Sequence, residues 1–359
     1  MVFSLQAFSL TQNPPYPTLS QSKKPNFCLR NRKGVRLSMR FRHIVLLLII
    51  IISCLLIFGP FFITIPPLEN ITQPEELAQS DSNFITLSNI KVHYKIAGKG
   101  NHVLVLLHGF GAHVYTWQKV MQPLAENYTV VAYDRTGFGS TSRPMPEVWQ
   151  GQSPYSADSQ ADQTIALMDA LNIEKAILVG SSAGGTVAAL SALKYPDRIE
   201  GLILVGPAIF KEGAPRWVIP LLHIPQLNRL GPLFVRKVFD SAFKEMLTLA
   251  WHDPSRITQK TINAYKKTLQ TGNWDQALWQ MALANPALHL KKRLDQLRMP
   301  VLVISGGDDK LVPQEESQEI AARIPQAVLV IIPNCGHLPQ EETPEEFIQE
   351  VKTFMTKTF

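Results

Sequence analysis

The sequence predicts an α/β fold, in which a mostly parallel sheet is covered by helices on both faces. Between residues 84 and 359, short apolar runs typical of buried strands alternate with longer segments of helical periodicity. Such alternation is expected when parallel strands are joined by crossover helices. Residues 208–290 interrupt it, with helical patterns and no convincing strand. This interruption predicts a cap of helices inserted between two strands of the sheet.

The first elements of this region are predicted to form a β-hairpin, with Ser88 and Asn89 at its turn. Farther along the chain, Ser156 is expected to cap the helix that follows it. The last helix is expected to begin after Thr343, which forms a capping box with Glu346. The predicted strands are residues 84–87, 90–96, 103–107, 129–133, 176–179, 201–205, 301–305 and 327–332. The predicted helices are residues 158–171, residues 183–195, a segment that begins at residue 313 and a segment that begins at residue 344.

Positive charge is concentrated in residues 1–42, which contain eight Lys and Arg residues and no acidic residue. Without this basic arm, the chain has 27 basic and 29 acidic residues, a net charge of −2. A nucleic-acid-binding domain carries its positive charge on a folded face. We therefore expect no nucleic-acid partner.

After the arm comes an apolar stretch, residues 44–65, that has no charged side chain and is rich in Ile, Leu and Phe. As a helix it would span ~33 Å, enough to cross the hydrocarbon core of a bilayer. We expect a single-pass anchor over residues 43–65, followed by a polar linker over residues 66–83. The basic residues before the anchor predict a cytoplasmic N-terminus, with the globular domain on the opposite side. A cleaved signal peptide, and an organelle transit peptide before the anchor, are the alternatives.

The motif Gly180-x-Ser182-x-Gly184 lies between an apolar run and an alanine-rich helical segment. Strand, sharp turn and helix form the context of a nucleophile elbow, in which a strained turn exposes the serine for attack. The two glycines leave room for neighbouring backbone. A simple Gly/Ser turn would give the same pattern, so the interpretation depends on a base and an acid elsewhere in the chain.

A base for this serine is expected from one of the nine histidines. His337 lies in a loop after the strand 327–332, at the sheet edge where ligands bind in open α/β folds. Its place after Ser182 in the chain favours the role of base. The acid is expected in the loop that ends the preceding strand. Asp308 and Asp309 are adjacent there, and only one of them can point at the histidine.

Two backbone N–H groups are expected to bind the oxyanion that forms during acyl transfer. Ala183 follows the serine at the start of a helix and supplies one of them. The loop His108-Gly109-Phe110-Gly111 follows a buried strand, and the N–H of Phe110 is the expected second donor. Because His108 precedes this tight glycine turn, we expect it to support the turn and not to act as the base.

Five sequence elements occur in a fixed order along residues 84–359. They are His108-Gly109-Phe110-Gly111, Tyr133-Asp134-Arg135-Thr136-Gly137-Phe138-Gly139-Ser140, Gly180-x-Ser182-x-Gly184, Asp309-x-x-Val312-Pro313 and Gly336-His337. In this order they resemble the α/β-hydrolase family. The resemblance implies an eight-stranded sheet with antiparallel first strands, a cap after the sixth strand, and a structural turn at residues 134–140. It also implies Asp309 as the acid, because the family's aspartate precedes x-x-Val-Pro. Ser181 departs from the family, in which a histidine is usual.

With this resemblance, the residues above predict a membrane-tethered serine hydrolase that cleaves an ester through an acyl-enzyme intermediate. Ser182 would be the nucleophile, His337 the base and Asp309 its orienting acid, while Phe110 and Ala183 donate to the oxyanion. This chemistry needs no cofactor and no metal, and we expect neither. On the same triad, a C–C bond hydrolase and a cofactor-free perhydrolase are alternatives. A non-catalytic binding protein of the same fold is an alternative of another class.

The predicted cap, residues 208–290, contains four tryptophans, with ten basic residues against five acidic ones. Its aromatic and leucine-rich helices favour a small-molecule ester or lipid substrate with an apolar acyl or alcohol group. Its net charge of +5 suggests contact with anionic lipid beside the anchor. A solvated basic face is the alternative.

Overall fold

The computed structural model of the protein describes residues 39–211, 213–215 and 217–359. Most of the predicted basic arm, residues 1–42, therefore lies outside the described residues. Contacts along the chain divide it into two units, of which the first ends at Thr64 and the second is Ile65–Phe359. Every strand in the described part of the chain belongs to the second unit.

The first unit contains an apolar helix, α1, over Met39–Phe62. Its stretch Phe41–Phe62 has 22 residues and a mean hydropathy of 3.1, so its length and composition suffice to cross a bilayer. The prediction of an apolar N-terminal helix is thereby confirmed. The helix ends before residue 65 because Pro60 removes a backbone donor from its last turn and Pro66 disfavours helical geometry in the residue before it.

The second unit is built on one eight-stranded sheet. Its strands are β1 (Asn83–Leu87), β2 (Ile90–Ala97), β3 (Val103–Leu107), β4 (Thr129–Tyr133), β5 (Ala176–Ser181), β6 (Ile199–Val205), β7 (Val301–Gly306) and β8 (Val328–Ile332). They follow the order β1-β2-β4-β3-β5-β6-β7-β8 in the sheet. β2 pairs antiparallel with β1 and β4, and all other neighbours are parallel. The predicted mostly parallel sheet with antiparallel first strands is confirmed.

Helices cover both faces of this sheet, as predicted. In chain order they are α2 (Met121–Ala125), α3 (Ala157–Ala170), α4 (Ala183–Lys194), α5 (Ile219–Leu222), α6 (Pro225–Leu249), α7 (Gln259–Lys267), α8 (Trp274–Ala284), α9 (Gln314–Arg323), α10 (Pro339–Glu342) and α11 (Pro344–Thr358). Val105 and Leu178 pack in the core beneath α3, α4 and α9, whereas Leu104 and Ile177 pack with α2 and α11. Because successive side chains of a strand point to opposite faces, each central strand contributes side chains to the hydrophobic cores on both faces of the sheet. These strands are continuous apolar runs in the sequence because they are buried on both faces of the sheet.

The two predicted helix caps have different outcomes. Ser156 caps α3 as predicted, because its Oγ accepts a hydrogen bond of 3.1 Å from the N–H of Ser159. Thr343 occupies the N-cap position of α11, but its side chain makes no capping hydrogen bond. Its hydroxyl instead donates to Sγ of the buried Cys335 at 3.2 Å. The capping-box prediction is therefore wrong, since a tertiary contact competes for the same hydroxyl.

Helices α5 to α8 form the insertion between β6 and β7, and the described residues of 208–290 contain no strand. α6 packs closely on α8, because Gly231 lies against the indole of Trp279, where a Cβ would come within 2.1 Å of the ring. Trp279 also donates from Nε1 to Oδ1 of Asn228 at 2.9 Å. The rings of Phe239 and Trp274 lie 5.7 Å apart in the same interface. A helical cap inserted after the sixth strand is therefore confirmed.

Candidate active site

Ser182 lies in the sharp turn between β5 and α4. Its backbone has φ +53° and ψ −120°, a conformation that residues other than glycine rarely adopt. A hydrogen bond of 2.8 Å from its N–H to the carbonyl of Val205 holds the turn. Gly184 needs to lack a side chain, because a Cβ would come within 2.2 Å of the carbonyl oxygen of Leu107. The local geometry is that of a strained strand-to-helix elbow with a half-buried serine at its tip.

His337 and Asp309 are hydrogen-bonded to each other. Nδ1 of His337 lies 2.7 Å from Oδ2 of Asp309, and both residues are buried. The other carboxylate oxygen, Oδ1, accepts from the backbone N–H groups of Leu311 at 2.9 Å and Val312 at 2.8 Å. The exposed Asp308 instead lies 2.8 Å from Nδ1 of His252. The structure thus brings Asp309 to His337 and directs Asp308 to the cap.

The loop after β6 connects Ser182 with this pair. Val205 accepts the N–H of Ser182, and the carbonyl of Ser182 accepts the N–H of Ala208 at 3.1 Å. Between them, Gly206 has φ +47°, and a Cβ there would lie 3.1 Å from both Asp309 Oδ2 and His337 Nδ1. One short loop therefore contacts the serine on one side and the His–Asp pair on the other.

The loop after β3 lies directly beside the serine. A Cβ on Gly109 would be 3.1 Å from Cβ and 3.7 Å from Oγ of Ser182. The next residue, Phe110, has its ring packed edge-on against Phe138 at 5.7 Å. On the other side of the serine, Ala183 is the first residue of α4, and the first N–H groups of a helix have no acceptor within it. Ala183 is therefore next to Ser182 in the chain, and Phe110 directly follows Gly109, which lies beside Ser182.

His108 and Arg135 support the loop before Phe110. Burial, followed by the nearby charge of Arg135, lowers the pKa of His108 to about 3, so this imidazole is neutral. Its Nδ1–H can then donate to the carbonyl of Gly109 at 2.8 Å, while Nε2 accepts the backbone N–H of Arg135 at 3.0 Å. The guanidinium of Arg135 donates to the carbonyls of His108 at 2.9 Å and Gly109 at 3.1 Å. A role for His108 in the turn was expected, but the sequence did not reveal Arg135 as its partner.

The turn at residues 134–140 is organised by the buried carboxylate of Asp134. Its oxygens accept the backbone N–H groups of Ser140 and Val114, each at 2.7 Å. Nδ1 of the buried His93 lies 2.7 Å from Oδ2 of the same carboxylate. Burial alone would raise the pKa of Asp134, but interactions with nearby histidines, first of all His93, outweigh it and keep the pKa well below its usual range. None of these contacts of Asp134 involves Ser182, Asp309 or His337.

Sequence reasoning missed two buried carboxyl groups in α10, just after His337. Glu342 is fully buried, and its oxygens accept the backbone N–H groups of Gly336 at 2.7 Å and His252 at 3.0 Å. Glu341 accepts hydrogen bonds from the hydroxyl groups of Thr116, at 2.5 Å, and Tyr265. Consecutive acids before a helix are typical of an exposed first turn, so their nearness to His337 in sequence was the only signal.

No group of three or more His, Cys, Asp or Glu residues in the described ranges could hold a metal ion. Cys335 is a buried free thiol, and burial raises its pKa to about 12. Cys54, in α1, is also a free cysteine. The thiol of Cys335 contacts Gly336 and Thr343.

A family model described as the alpha/beta hydrolase fold matches residues 102–344 of this chain. The chain belongs to the α/β-hydrolase family. A 2-hydroxy-6-oxononadienedioate/2-hydroxy-6-oxononatrienedioate hydrolase of Comamonas testosteroni is 29% identical to it over 280 residues, covering 74% of this chain and 93% of that protein. The resemblance to this family that the sequence motifs indicated is thus confirmed.

Solved structures agree with this assignment. A thermophilic esterase from Thermogutta terrifontis is 26% identical to this α/β-hydrolase, with a TM-score of 0.63 over 78% of this chain and 99% of that one. A membrane phospholipase A, a bacterial virulence factor, is similar with a TM-score of 0.61 and 24% identity. The similarity covers 89% of this chain and 98% of that structure, and at this identity it shows a shared fold.

Proposed function

We propose that this α/β-hydrolase is a serine hydrolase that cleaves a lipophilic ester through an acyl-enzyme intermediate. The observation that carries the proposal is the hydrogen bond of 2.7 Å between Asp309 and His337, beside the Gly206 loop that also contacts the strained Ser182. With Nδ1–H donating to the carboxylate, Nε2 of His337 is left as the basic nitrogen. A nucleophile, a base and an orienting acid are the parts that acyl transfer requires.

In the proposed reaction, Ser182 Oγ attacks the ester carbonyl while Nε2 of His337 takes the hydroxyl proton. The N–H groups of Phe110 and Ala183 stabilise the oxyanion of the tetrahedral intermediate. His337 then gives its proton to the leaving alcohol, and the acyl group stays on Ser182. A water molecule, deprotonated by His337, releases the acid in the same way. Asp309 keeps the imidazole oriented and stabilises its charged form.

The lipophilic substrate is supported by cap side chains that lie over the oxyanion loop. The ring of Phe239 in α6 is 6.1 Å from the ring of Phe110. Farther along α6, Cε of Met246 would be 3.6 Å from a Cβ on Gly111. Apolar side chains above the reacting carbonyl favour an acyl or alcohol group that is itself apolar.

Replacement of Ser182 tests the nucleophile. We expect Ser182→Ala to lose labelling by a fluorophosphonate probe and to lose at least ~10³-fold in hydrolysis of p-nitrophenyl esters. Ser181→Ala, which changes the neighbouring serine, is the matched control and is expected to keep both. Esters of graded acyl length would then report the substrate class, with a preference for longer chains expected. Labelling that persists in Ser182→Ala would overturn the assignment.

A C–C bond hydrolase on the same triad is the second candidate. It is supported by the Comamonas testosteroni relative, whose name is that of a hydrolase of 2-hydroxy-6-oxononadienedioate and 2-hydroxy-6-oxononatrienedioate. The two candidates differ in the assay that detects turnover. Loss of dienoate absorbance without cleavage of any p-nitrophenyl ester would favour the C–C reaction over the ester reaction.

The proposal also includes membrane tethering by α1. The chain would comprise the basic arm at 1–42, the anchor at 43–65, a linker at 66–83 and the hydrolase domain at 84–359, with the cap at about 208–290. The charges of the arm support a cytoplasmic N-terminus and a hydrolase domain on the opposite side. A C-terminal alkaline phosphatase fusion expressed in a bacterium is expected to be active. A fusion that is inactive at a normal expression level would indicate the opposite topology, with the hydrolase domain in the cytoplasm.

A further inference from the structure

The outer surface of the cap carries large apolar side chains in the segment that includes α5 and the first half of α6. Trp217 is 73% exposed, Phe234 62% and Leu221 53%. Ile224 and Leu227 are 43% and 40% exposed. We call these five residues the cap strip. A soluble surface rarely keeps so many large apolar groups together without an interaction to cover them.

Two residues of the cap strip, Leu227 and Phe234, lie on an exposed face of α6. Leu227 and Phe234 are seven residues apart, which places them on one face after two helical turns. The adjoining face of the helix is occupied, because Gly231 packs against the ring of Trp279 and Asn228 accepts a hydrogen bond from its indole N–H. The strip is therefore not an unfilled part of the cap interior, and its partner must come from outside the domain.

The chain joins the hydrolase unit beside the same helix. Nη1 of Arg236, in α6, donates to the carbonyl of Pro66 at 2.6 Å. The N–H of Thr72 then donates to the carbonyl of Gln270 in the cap at 2.8 Å. In sequence, Pro66 comes four residues after Phe62, where α1 ends. The first residues of the hydrolase unit therefore contact the cap, through Pro66 and Thr72.

The charge of the cap favours lipid over a second copy of the chain. Residues 208–290 carry a net charge of +5, whereas the rest of residues 43–359 carries −7. On α6, Lys237 is exposed one helical turn after Phe234, and Lys244 is exposed farther along the helix. Two such surfaces would repel each other, while an anionic bilayer attracts them. Exposed Trp, Phe and Leu flanked by Lys are the composition of a surface that lies in a membrane interface.

We propose that the cap strip inserts into the surface of an anionic bilayer, the one that α1 spans. The inference rests on the proposed membrane anchor and deepens it, because it assigns the lipid contact to named residues. Insertion would bring the cap to the lipid phase, from which a lipophilic ester could reach the apolar side chains above Phe110. The proposal concerns substrate access and leaves the triad chemistry unchanged.

A fluorescent probe in the strip tests the contact with the full chain. Phe234→Cys, labelled with a nitrobenzoxadiazole group, would be placed in nanodiscs of phosphatidylcholine and phosphatidylglycerol with one chain per disc. The wild-type chain gives the background from native cysteines, and Lys357→Cys, at an exposed site on α11, is the control. We expect blue-shifted emission and quenching by doxyl-labelled lipid at residue 234 but not at 357. Water-like, unquenched emission at residue 234 would overturn the proposal, as would a shift that appears only with two chains per disc.

An activity measurement separates this inference from the proposed reaction. Leu221→Glu/Phe234→Glu is expected to raise KM about tenfold for a long-chain ester held in vesicles, since large apolar groups lose their lipid contact. Hydrolysis of a short, water-soluble ester should stay unchanged. Val328→Glu, at the exposed start of β8, changes an apolar residue of 49% exposure and should alter neither. An unchanged KM for vesicle-held ester in the double variant would refute the inference, whereas a wild-type chain inactive on every ester would refute the proposed function instead.

Discussion

The carboxylate of Glu342 accepts a hydrogen bond of 2.7 Å from the backbone N–H of Gly336, the residue before His337. The same side chain accepts from His252 at 3.0 Å and Asp253 at 2.9 Å, at the end of the cap helix α6. In addition, the N–H of His337 donates to the carbonyl of Ala250 at 2.7 Å. The buried carboxylate of Glu342 thus links the loop that carries His337 to the cap by hydrogen bonds.

Replacing this carboxylate by an amide should loosen the loop. In Glu342→Gln, one oxygen becomes an NH₂ group that cannot accept, so at least one of the three backbone N–H donors loses its partner. We expect a loss of about 1–3 kcal/mol in stability. A displaced His337 should also cost about tenfold or more in kcat for a short ester, because small misplacements are costly in catalysis.

Thermal unfolding and steady-state kinetics would check both effects. Glu346→Gln, at an exposed position in the first turn of α11, is the matched control and should match the wild type. A Glu342→Gln enzyme with wild-type kcat would show that the loop keeps its place without this carboxylate.

Asp309 and Asp308 allow a paired test of the orienting acid. In Asp309→Asn, the remaining oxygen is expected to keep the backbone donors of Leu311 and Val312, so the NH₂ group faces Nδ1 of His337. That arrangement forces the other imidazole tautomer and should lower kcat roughly 10³–10⁴-fold. Asp308→Asn, whose partner is the half-exposed His252, should change kcat little. Equal losses in the two variants would contradict the assignment of the acid.

Gly206 is expected to tolerate no side chain. A Cβ in Gly206→Ala would crowd the Asp309–His337 pair at 3.1 Å and would sit at φ +47°. We expect about a hundredfold loss in kcat, because the pair must shift relative to Ser182. Gly151→Ala is the matched control, since its φ is +79° and nothing lies within 4 Å of the new Cβ. If both variants lost activity equally, backbone strain and not crowding would be the cause.

Glu341 should make stability depend on pH. Burial raises its pKa from 4.5 to about 7, so the folded state holds this proton more tightly than the unfolded state does. The resulting stability is fully present below pH ~4.5 and is lost as pH rises through ~7, a change of roughly 3 kcal/mol. Glu341→Gln removes the titration and keeps an acceptor for Tyr265 and Thr116.

The measurement is the unfolding midpoint of the full chain in detergent as a function of pH. We expect the difference between Glu341→Gln and wild type to grow in favour of the variant from pH ~4.5 to ~7 and then to level off. Glu345→Gln, in the exposed first turn of α11, should follow the wild type at every pH. Parallel curves for all three proteins would show that Glu341 does not titrate in this window.

The choice between Asp308 and Asp309 as the orienting acid could not be made from the residue pattern alone. From the residues alone the two adjacent carboxylates were equivalent, and only the family resemblance favoured Asp309. In the structure, the N–H groups of Leu311 and Val312 hold the Asp309 carboxylate at the end of β7. These donors come two and three residues later, but their direction depends on how the loop closes, which spacing does not give.

The sequence by itself determined the features that depend on local chain geometry. Apolar runs gave the strands, because side chains of a doubly covered sheet are buried on both faces. Gly180 and Gly184 indicated the elbow, because backbone can approach closely only where no Cβ is present. The apolar helix α1 and the positive cap were likewise visible in composition.

Only the tertiary structure decided which polar groups are buried and what they contact. Arg135 is hydrogen-bonded to His108, which lies 27 residues away in the sequence, and Glu342 is hydrogen-bonded to His252, which lies 90 residues away. A charged residue in a sequence is expected to be solvated, and its burial becomes favourable only when folding supplies distant hydrogen-bond partners. For the same reason the sequence indicated Ser182, Asp309 and His337 one by one, whereas the Gly206 loop that lies between them emerged from the packing of β6 against β5 and β7.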